Sequence, residues 1–172
     1  MNQLFDFSVS RASWAALLIS VLVFEACALY FQHIMSLSPC VMCIYERVAM
    51  MVVAIGAMVA LINPTSMVMR LLGYISWVSG SLAGTLLSLD HVDMQINPSP
   101  FSSCPIDVNF PSFMPLNEWF PWVFEAYGNC AEIVWSLWGL SMPQWLVIIF
   151  GAMFVVSVAF TCVELNSEKS QN

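Results

Sequence analysis

Four long apolar runs dominate the chain, each close to the roughly 20 residues that a helix needs to cross a bilayer. The first extends from about Trp14 to Phe31 and is interrupted by Glu25. The second, from about Val41 to Ile62, carries Glu46 and Arg47 in its first turns, and "NPTS" at 63–66 ends it as a turn signal. The third, from about Val68 to Leu89, is uncharged after Arg70; the fourth, from about Gln144 to Val163, begins after "MP" and stops at Glu164. Leu, Val, Ile, Ala and Met with scattered Gly and Ser suit helices in lipid, where each backbone amide must be satisfied within its own segment. The pattern predicts an all-α integral membrane protein with four transmembrane helices. It forms a single membrane domain over 1–172, with a short loop at about 32–40 and a long one at about 90–143.

Prolines at 98, 100, 105, 111, 115 and 121 break regular structure in the long loop. Between and after them, "FMPLNEWFPWVF" and "IVWSLWGL" are dense in aromatics. Such segments suit the headgroup layer; a small self-packed aromatic core is the alternative. The tail "NSEKSQN" is expected to be disordered.

Composition strengthens the membrane reading. Of 172 residues, 60% are hydrophobic and 9% charged, with mean hydropathy +0.81, against about 45–50% and about 25% in soluble domains. The net charge is −7, with Arg11, Arg47, Arg70 and Lys169 the only Lys and Arg residues. No basic patch can neutralise phosphates, which excludes nucleic acid as a partner. One Asp and one Arg ahead of the first apolar run make a poor signal peptide, so that run is expected to be a retained span. Arg11, Arg70 and Lys169 fall on one side of a four-span chain, whereas the long loop has six acidic residues and no Lys or Arg. The positive-inside rule therefore puts both termini in the cytoplasm and the long loop outside.

This orientation, taken from charge alone, sorts the six cysteines. Cys40 and Cys43 lie at the first external loop, Cys104 and Cys130 in the long one, and Cys27 and Cys162 within spans one and four. Four thus face the side where disulfides persist, in a bacterium the periplasm. Cys40-Val-Met-Cys43 admits three chemistries. Zinc needs four N/S ligands, but the other external cysteines are 26 residues apart and the chain has two histidines. A structural bridge across so short a loop stabilises little, because the entropic gain grows with loop size. Redox work is the reading that spacing and placement favour together. The start of span two favours a thiolate through the partial positive charge of a helix amino terminus. Cys43 and Arg47 stand i and i+4, on one face, so the guanidinium can steady a sulfur anion or an anionic acceptor. Pairing of Arg47 with Glu46, or snorkelling to headgroups, is the structural alternative. Cys104 and Cys130 by themselves could equally be a staple.

Structural disulfides sit below about −300 mV and a strongly oxidising periplasmic dithiol protein near −120 mV, so the first cannot oxidise the second without roughly 8 kcal/mol. A disulfide generator therefore needs a stronger terminal oxidant. A membrane-soluble quinone is the natural one, docking where Cys43 and Arg47 meet lipid; His91, just after span three, could hydrogen-bond a quinone carbonyl or be an ordinary interfacial histidine. Two other classes stay open: a membrane subunit whose external cysteines are staples, and a haem subunit. The latter wants axial histidines within spans, whereas His33 and His91 lie at the outer edge.

The segments "YFQHIMSLSPCVMCIYER", "PSPFSSC", "GNCAE" and "MPQWL", in this order and spacing over nearly the whole chain, resemble the disulfide bond formation protein DsbB family. A quinone-linked oxidase of the vitamin K epoxide reductase kind would share the chemistry and the bundle but not "PSPFSSC" and "GNCAE" as they stand here. The resemblance implies a four-helix bundle in the bacterial inner membrane with its redox cysteines facing the periplasm. It implies that Cys104–Cys130 takes electrons from a reduced DsbA-like thiol oxidase, with Cys104 forming the mixed disulfide and "PSPF" in the partner's groove. Electrons would pass to Cys40–Cys43, with a transient Cys40–Cys130 bridge, and from Cys43 to the membrane quinone pool. Arg47 and His91 match the family's quinone-site positions; ubiquinone is the expected acceptor and menaquinone the alternative. The chain lacks the Lys that some members carry between Gln32 and Cys40, which is expected to alter local potential and not the reaction. Cys27 and Cys162 match no redox position and are expected to be small buried hydrophobes. Glu25, an ionisable residue in mid-span, is left outside the site.

Overall fold

A computed structural model describes residues 7–98, 104 and 107–169. Its four long helices are α1 (Arg11–His33), α2 (Val41–Ile62), α3 (Met67–Ile96) and, at the end of the chain, α6 (Met142–Lys169). The apolar runs and the four helices coincide, and each helix is long and apolar enough to cross a membrane. Between α3 and α6 lie two single-turn helices, α4 (Leu116–Trp119) and α5 (Pro121–Phe124), and a hairpin of two-residue strands, β1 (Ser136–Leu137) and β2 (Leu140–Ser141).

Two helices outrun their predicted spans. α3 continues about two turns past Leu89, to Ile96. Asp90 and Asp93 do not stop it because both ride on its exposed face, while Gly84, Ser88 and His91 keep the buried face at helical spacing. His91 is therefore on the helix and not after it. At the carboxyl end α6 continues to Lys169, into the tail read as disordered.

α2 is the hub: 56% of its spanning window is buried, against 11% for α1 and α6, which turn most of their surface outward. The α2–α3 interface is the most extensive, followed by α3–α6 and then α1–α2. Close approach of α2 and α3 depends on Gly56 and Gly73. A Cβ on either would come within 2.9 and 3.1 Å of the other's carbonyl oxygen, the small-residue packing that lets helices associate in lipid. α3 hides its hydroxyls by donating them back up the helix, Ser81 to the Trp77 carbonyl at 2.7 Å, Thr85 to Ser81 at 2.8 Å and Ser88 to Gly84 at 2.8 Å. Side chains bridge α1 and α6 through Val21 and Phe150 and, further from the cysteines, through Trp14 and Phe160. Cys27 and Cys162, expected inside, are exposed. With lipid as the solvent, a thiol need not be buried in protein to be out of water.

Part of the loop's aromatics form the small self-packed core that was the alternative. Phe124 and Val123 are buried on Ile44, with Phe110 edge-on to Phe124 and Tyr45, whereas Trp119, Trp122 and Trp138 are exposed. "WSLWGL" forms the hairpin, turning on Trp138 and Gly139 at φ 53° and 81°, the left-handed pair of a tight I′ turn. α6 then starts on Met142 and Pro143, with the Ser141 N–H donating to Gln144 Oε1 at 2.8 Å, one arm of a capping box.

The end of the bundle holding the 63–66 turn is closed by an ion pair. Arg70, 5% exposed, donates to Glu164, 1% exposed, through Nε at 2.9 Å and again through Nη2, while its Nη1 donates to the Pro64 carbonyl at 2.8 Å. Ser8 Oγ also donates to Glu164, at 3.4 Å. This ties both chain ends and the turn together. Removing one member of such a pair leaves the other charged and buried, whereas replacing both with apolar groups is often neutral. Glu164→Ala should therefore cost about 3–5 kcal/mol, and Arg70→Met with Glu164→Leu should restore most of it. Thermal unfolding in detergent checks this, and equal losses in the single and double variants would contradict it.

Candidate functional site

At the opposite end of the bundle, Cys40 is the N-cap of α2. Its backbone is extended, and its Sγ accepts from the Cys43 N–H at 3.3 Å. A sulfur in the place where Ser or Asp usually sits satisfies one of the helix's orphan donors and meets its positive end. The Sγ atoms of Cys40 and Cys43 stand 2.7 Å apart, both as free cysteines. Hydrogen bonding from Cys43 holds the Cys40 thiol below its ordinary pKa, against the opposing effect of burial.

Cys104 and Cys130 form a disulfide. Cys130 is fully buried in one cluster with Cys40 and Met42, against which Cys43 and Cys104 also pack. The segment leading to it is strapped onto the residues before Cys40: the Tyr127 and Gly128 N–H groups both donate to the Pro39 carbonyl at 2.9 Å. Gly128 lies so close that a Cβ there would collide with the Ser38 carbonyl oxygen. The loop thus brings the second cysteine pair onto the first across 90 residues of chain, counted from Cys40 to Cys130. The "PSPF" residues lie outside the described part of the structure.

Arg47, one turn into α2 beyond Cys43, is 7% exposed. Its Nε donates to Glu25 Oε2 at 3.3 Å, and its Nη1 to Gln32 Oε1 and the Val123 carbonyl, both at 2.8 Å. The expected alternative, a pair with Glu46, does not form. Adjacent residues on a helix point about 100° apart, so Arg47 faces α1 and Glu46 faces α3. Glu46 instead meets His91, with Nδ1 and Oε1 3.0 Å apart. Nε2 of the same ring is 3.5 Å from Cys40 Sγ.

A cavity of about 310 Å³ opens between α1 and α6 on this half of the bundle, lined by Cys43, Glu46 and Arg47 from α2, by Glu25 and Phe31, and by Trp145. Nearly all its wall is apolar. Arg47 Nη2 is buried without a protein partner among the described residues. His91 stands on the other side of the sulfur pair and lines a smaller cavity of about 20 Å³ with Cys40, Cys43, Gln95 and Asn129. Of the six residues singled out from sequence, Cys43 and Arg47 share the large cavity, Cys40 and His91 share the small one, and Cys104 and Cys130 abut Cys40. Three functional neighbours were missed. Glu25 carried a signal, a charge in mid-span; Gln32 carried none; Glu46 was read only against its sequence neighbour.

Residues 10–160 match the family of the disulfide bond formation protein DsbB. The chain is 57% identical to disulfide bond formation protein B of Vibrio alginolyticus over 90% of its length and 94% of the relative's. It is 51% identical to the protein of that name from Aliivibrio fischeri (strain ATCC 700601 / ES114), over 98% of its own length and 100% of the relative's. For the protein of that name from Vibrio parahaemolyticus serotype O3:K6 (strain RIMD 2210633) the identity is 50%, covering 99% and 96%.

The contact between the two sulfurs predicts a titration. In protein carrying Cys104→Ser and Cys130→Ser, alkylation of reduced Cys40 should reach half its maximal rate below about pH 8.5, the ordinary thiol value. Cys43→Ala removes the hydrogen bond and leaves the burial, so the midpoint should rise. Mass spectrometry of the alkylated peptide across pH measures it; an unmoved midpoint would show that Cys43 does not activate its neighbour.

Proposed function

The chain belongs to the disulfide bond formation protein DsbB family, and from that premise we propose that it is a quinone-dependent disulfide generator for a DsbA-like dithiol oxidase. Membership makes it a disulfide oxidoreductase of a bacterial membrane. The finer reading places the protein in the inner membrane with both termini cytoplasmic and the four cysteines of the two pairs on the periplasmic side.

The observation that carries the reading is the cavity, with Cys43 and Arg47 in its wall and Arg47 Nη2 buried without a protein partner among the described residues. A buried donor without a partner costs free energy unless a ligand supplies an acceptor, and a quinone carbonyl is such an acceptor. The apolar wall suits the rest of a lipid-soluble ring, and about 310 Å³ falls in the range of small-molecule sites, about 300–1,000 Å³. Ubiquinone is the proposed acceptor, with menaquinone as the alternative; when bound, a quinone accepts two electrons and two protons.

The residues divide the work. A partner thiolate attacks Cys104, breaking the Cys104–Cys130 bond, and closure of the partner's own disulfide releases Cys104 as a thiol. In the oxidised inner pair, the Cys130 thiolate, packed beside Cys40, attacks Cys40, forming a Cys40–Cys130 bond and releasing Cys43 as a thiolate. Cys104 then attacks Cys130, re-forming Cys104–Cys130 and releasing Cys40. The two electrons now reside on Cys40 and Cys43 as thiols, and re-forming the Cys40–Cys43 bond would give them up, with two protons, to a bound quinone. Arg47, its plane fixed by Glu25 and Gln32, would hold a carbonyl oxygen of the bound quinone. His91, beside Cys40 and paired with Glu46, is placed to accept the thiol proton.

Mixing purified protein, ubiquinone and a reduced thioredoxin-fold dithiol protein should bleach the quinone absorbance; no bleaching would overturn the reading. Arg47→Gln loses a charge-assisted hydrogen bond of about 1.5–3 kcal/mol, so KM for quinone should rise about 10- to 100-fold while a pre-oxidised protein still oxidises one equivalent of partner. Equal loss of both steps would take Arg47 out of the quinone site. Cys104→Ser should abolish the covalent complex with the partner on non-reducing gels, whereas Cys27→Ser should leave it intact.

A further inference from the structure

The small cavity beside the sulfur pair collects a set of donors that redox exchange alone does not require. Cys40 Sγ, Cys43 Sγ and a ring nitrogen of His91 all lie within 4.8 Å of one another. Sequence spacing argued against a metal, with the other external cysteines 26 residues apart and only two histidines in the chain; α3, running beyond its expected end, brings His91 onto the pair. We propose that the reduced Cys40–Cys43 pair and His91, backed by Glu46, form a site for one thiophilic divalent cation such as Zn2+, which holds the pair as thiolates and arrests electron transfer until it leaves.

Three features support this. Tetrahedral zinc with bonds of about 2.3 Å to sulfur and about 2.0–2.1 Å to nitrogen sets ligand separations of about 3.8 Å for S···S and about 3.6 Å for S···N. The Cys40 Sγ to His91 Nε2 distance is already 3.5 Å, and the sulfurs need to part from 2.7 Å by about one ångström. Second, the outer nitrogen of the imidazole is held as zinc proteins hold it. Glu46 Oε1 stands 3.0 Å from Nδ1, and a ligating histidine almost always gives its other ring N–H to a carboxylate, carbonyl or water. Third, the cavity has room for an ion and a route to it: about 20 Å³, with Gln95, Asn129 and Glu132 in its lining. Glu132 is exposed, so a carboxylate marks the approach. Three protein ligands leave the fourth position to water. Binding displaces the thiol protons and changes no oxidation state, and a disulfide, with no thiolate to offer, cannot hold the ion.

This rests on the reading that the inner pair passes through a dithiol, but its test reads metal binding and not turnover. The experiment uses full-length protein with Cys104→Ser and Cys130→Ser, so that the outer pair contributes no sulfur, and Co2+ as the probe. Reduced protein should bind one Co2+ per chain, with thiolate-to-metal charge-transfer absorption that Zn2+ abolishes. The same protein oxidised should show none, a comparison that needs no further variant to fold. Glu46→Gln should weaken binding about 10- to 100-fold, and His91→Ala should remove one-to-one binding. Absence of the absorption in reduced protein, equal binding when oxidised, or an affinity indifferent to both substitutions would each overturn the proposal. Metal-free protein with all its cysteines that reduces no quinone, while the variant binds Co2+ in this way, would instead overturn the proposed function.

Discussion

A guanidinium at the edge of the hydrocarbon is tolerated only when its donors are met, and the cysteine-bearing end of this bundle is organised to meet those of Arg47. Glu25 and Gln32 of α1 and the carbonyl of Val123 each take one hydrogen bond. Those three ties fix α1 against α2 and draw the α5 turn down over both. Its Nη2 stays buried without a partner among the described residues. One side chain thereby sets the spacing of the helices, the placement of the loop and the polarity of the binding surface. Arg70 and Glu164 do comparable work at the other end, but there the ions close on each other and on Pro64. One end is sealed; the other is built around a cavity.

Between the two cavities runs the sulfur pair. Its position at the first turn of α2 sets Cys40 beside the His91 imidazole and puts Cys43 with Arg47 in the wall of the large cavity. The strap from Tyr127 and Gly128 to Pro39 then presents Cys130 on the Cys40 side. In the proposed function, transfer between protein sulfurs and transfer out of the protein take place on opposite flanks of one dithiol, so neither partner must leave for the other to approach.

Much of this was legible beforehand. Apolar run length gave four helices because lipid demands it, and Cys43 with Arg47 could be placed on one face from helical geometry alone. What sequence spacing could not give is which faces of different helices meet. Glu46 and Arg47 are neighbours in the chain yet serve different helices, and the Glu46–His91 pair spans 45 residues. The extent of α3 was readable after all: Gly84, Ser88 and His91 continue its buried stripe, and the aspartates that suggested an end lie off that stripe. Cys27 and Cys162 misled because buriedness in water and in lipid are different conditions.

The opening between α1 and α6 has a kinetic meaning. A molecule that reaches the large cavity through that gap arrives sideways, out of the acyl chains, after a search in two dimensions. Its effective supply is a mole fraction among lipids, not a molarity. In the proposed function, occupancy therefore follows the ratio of quinone to amphiphile, and diluting a micellar sample with more detergent empties the cavity even when nothing about its walls has changed.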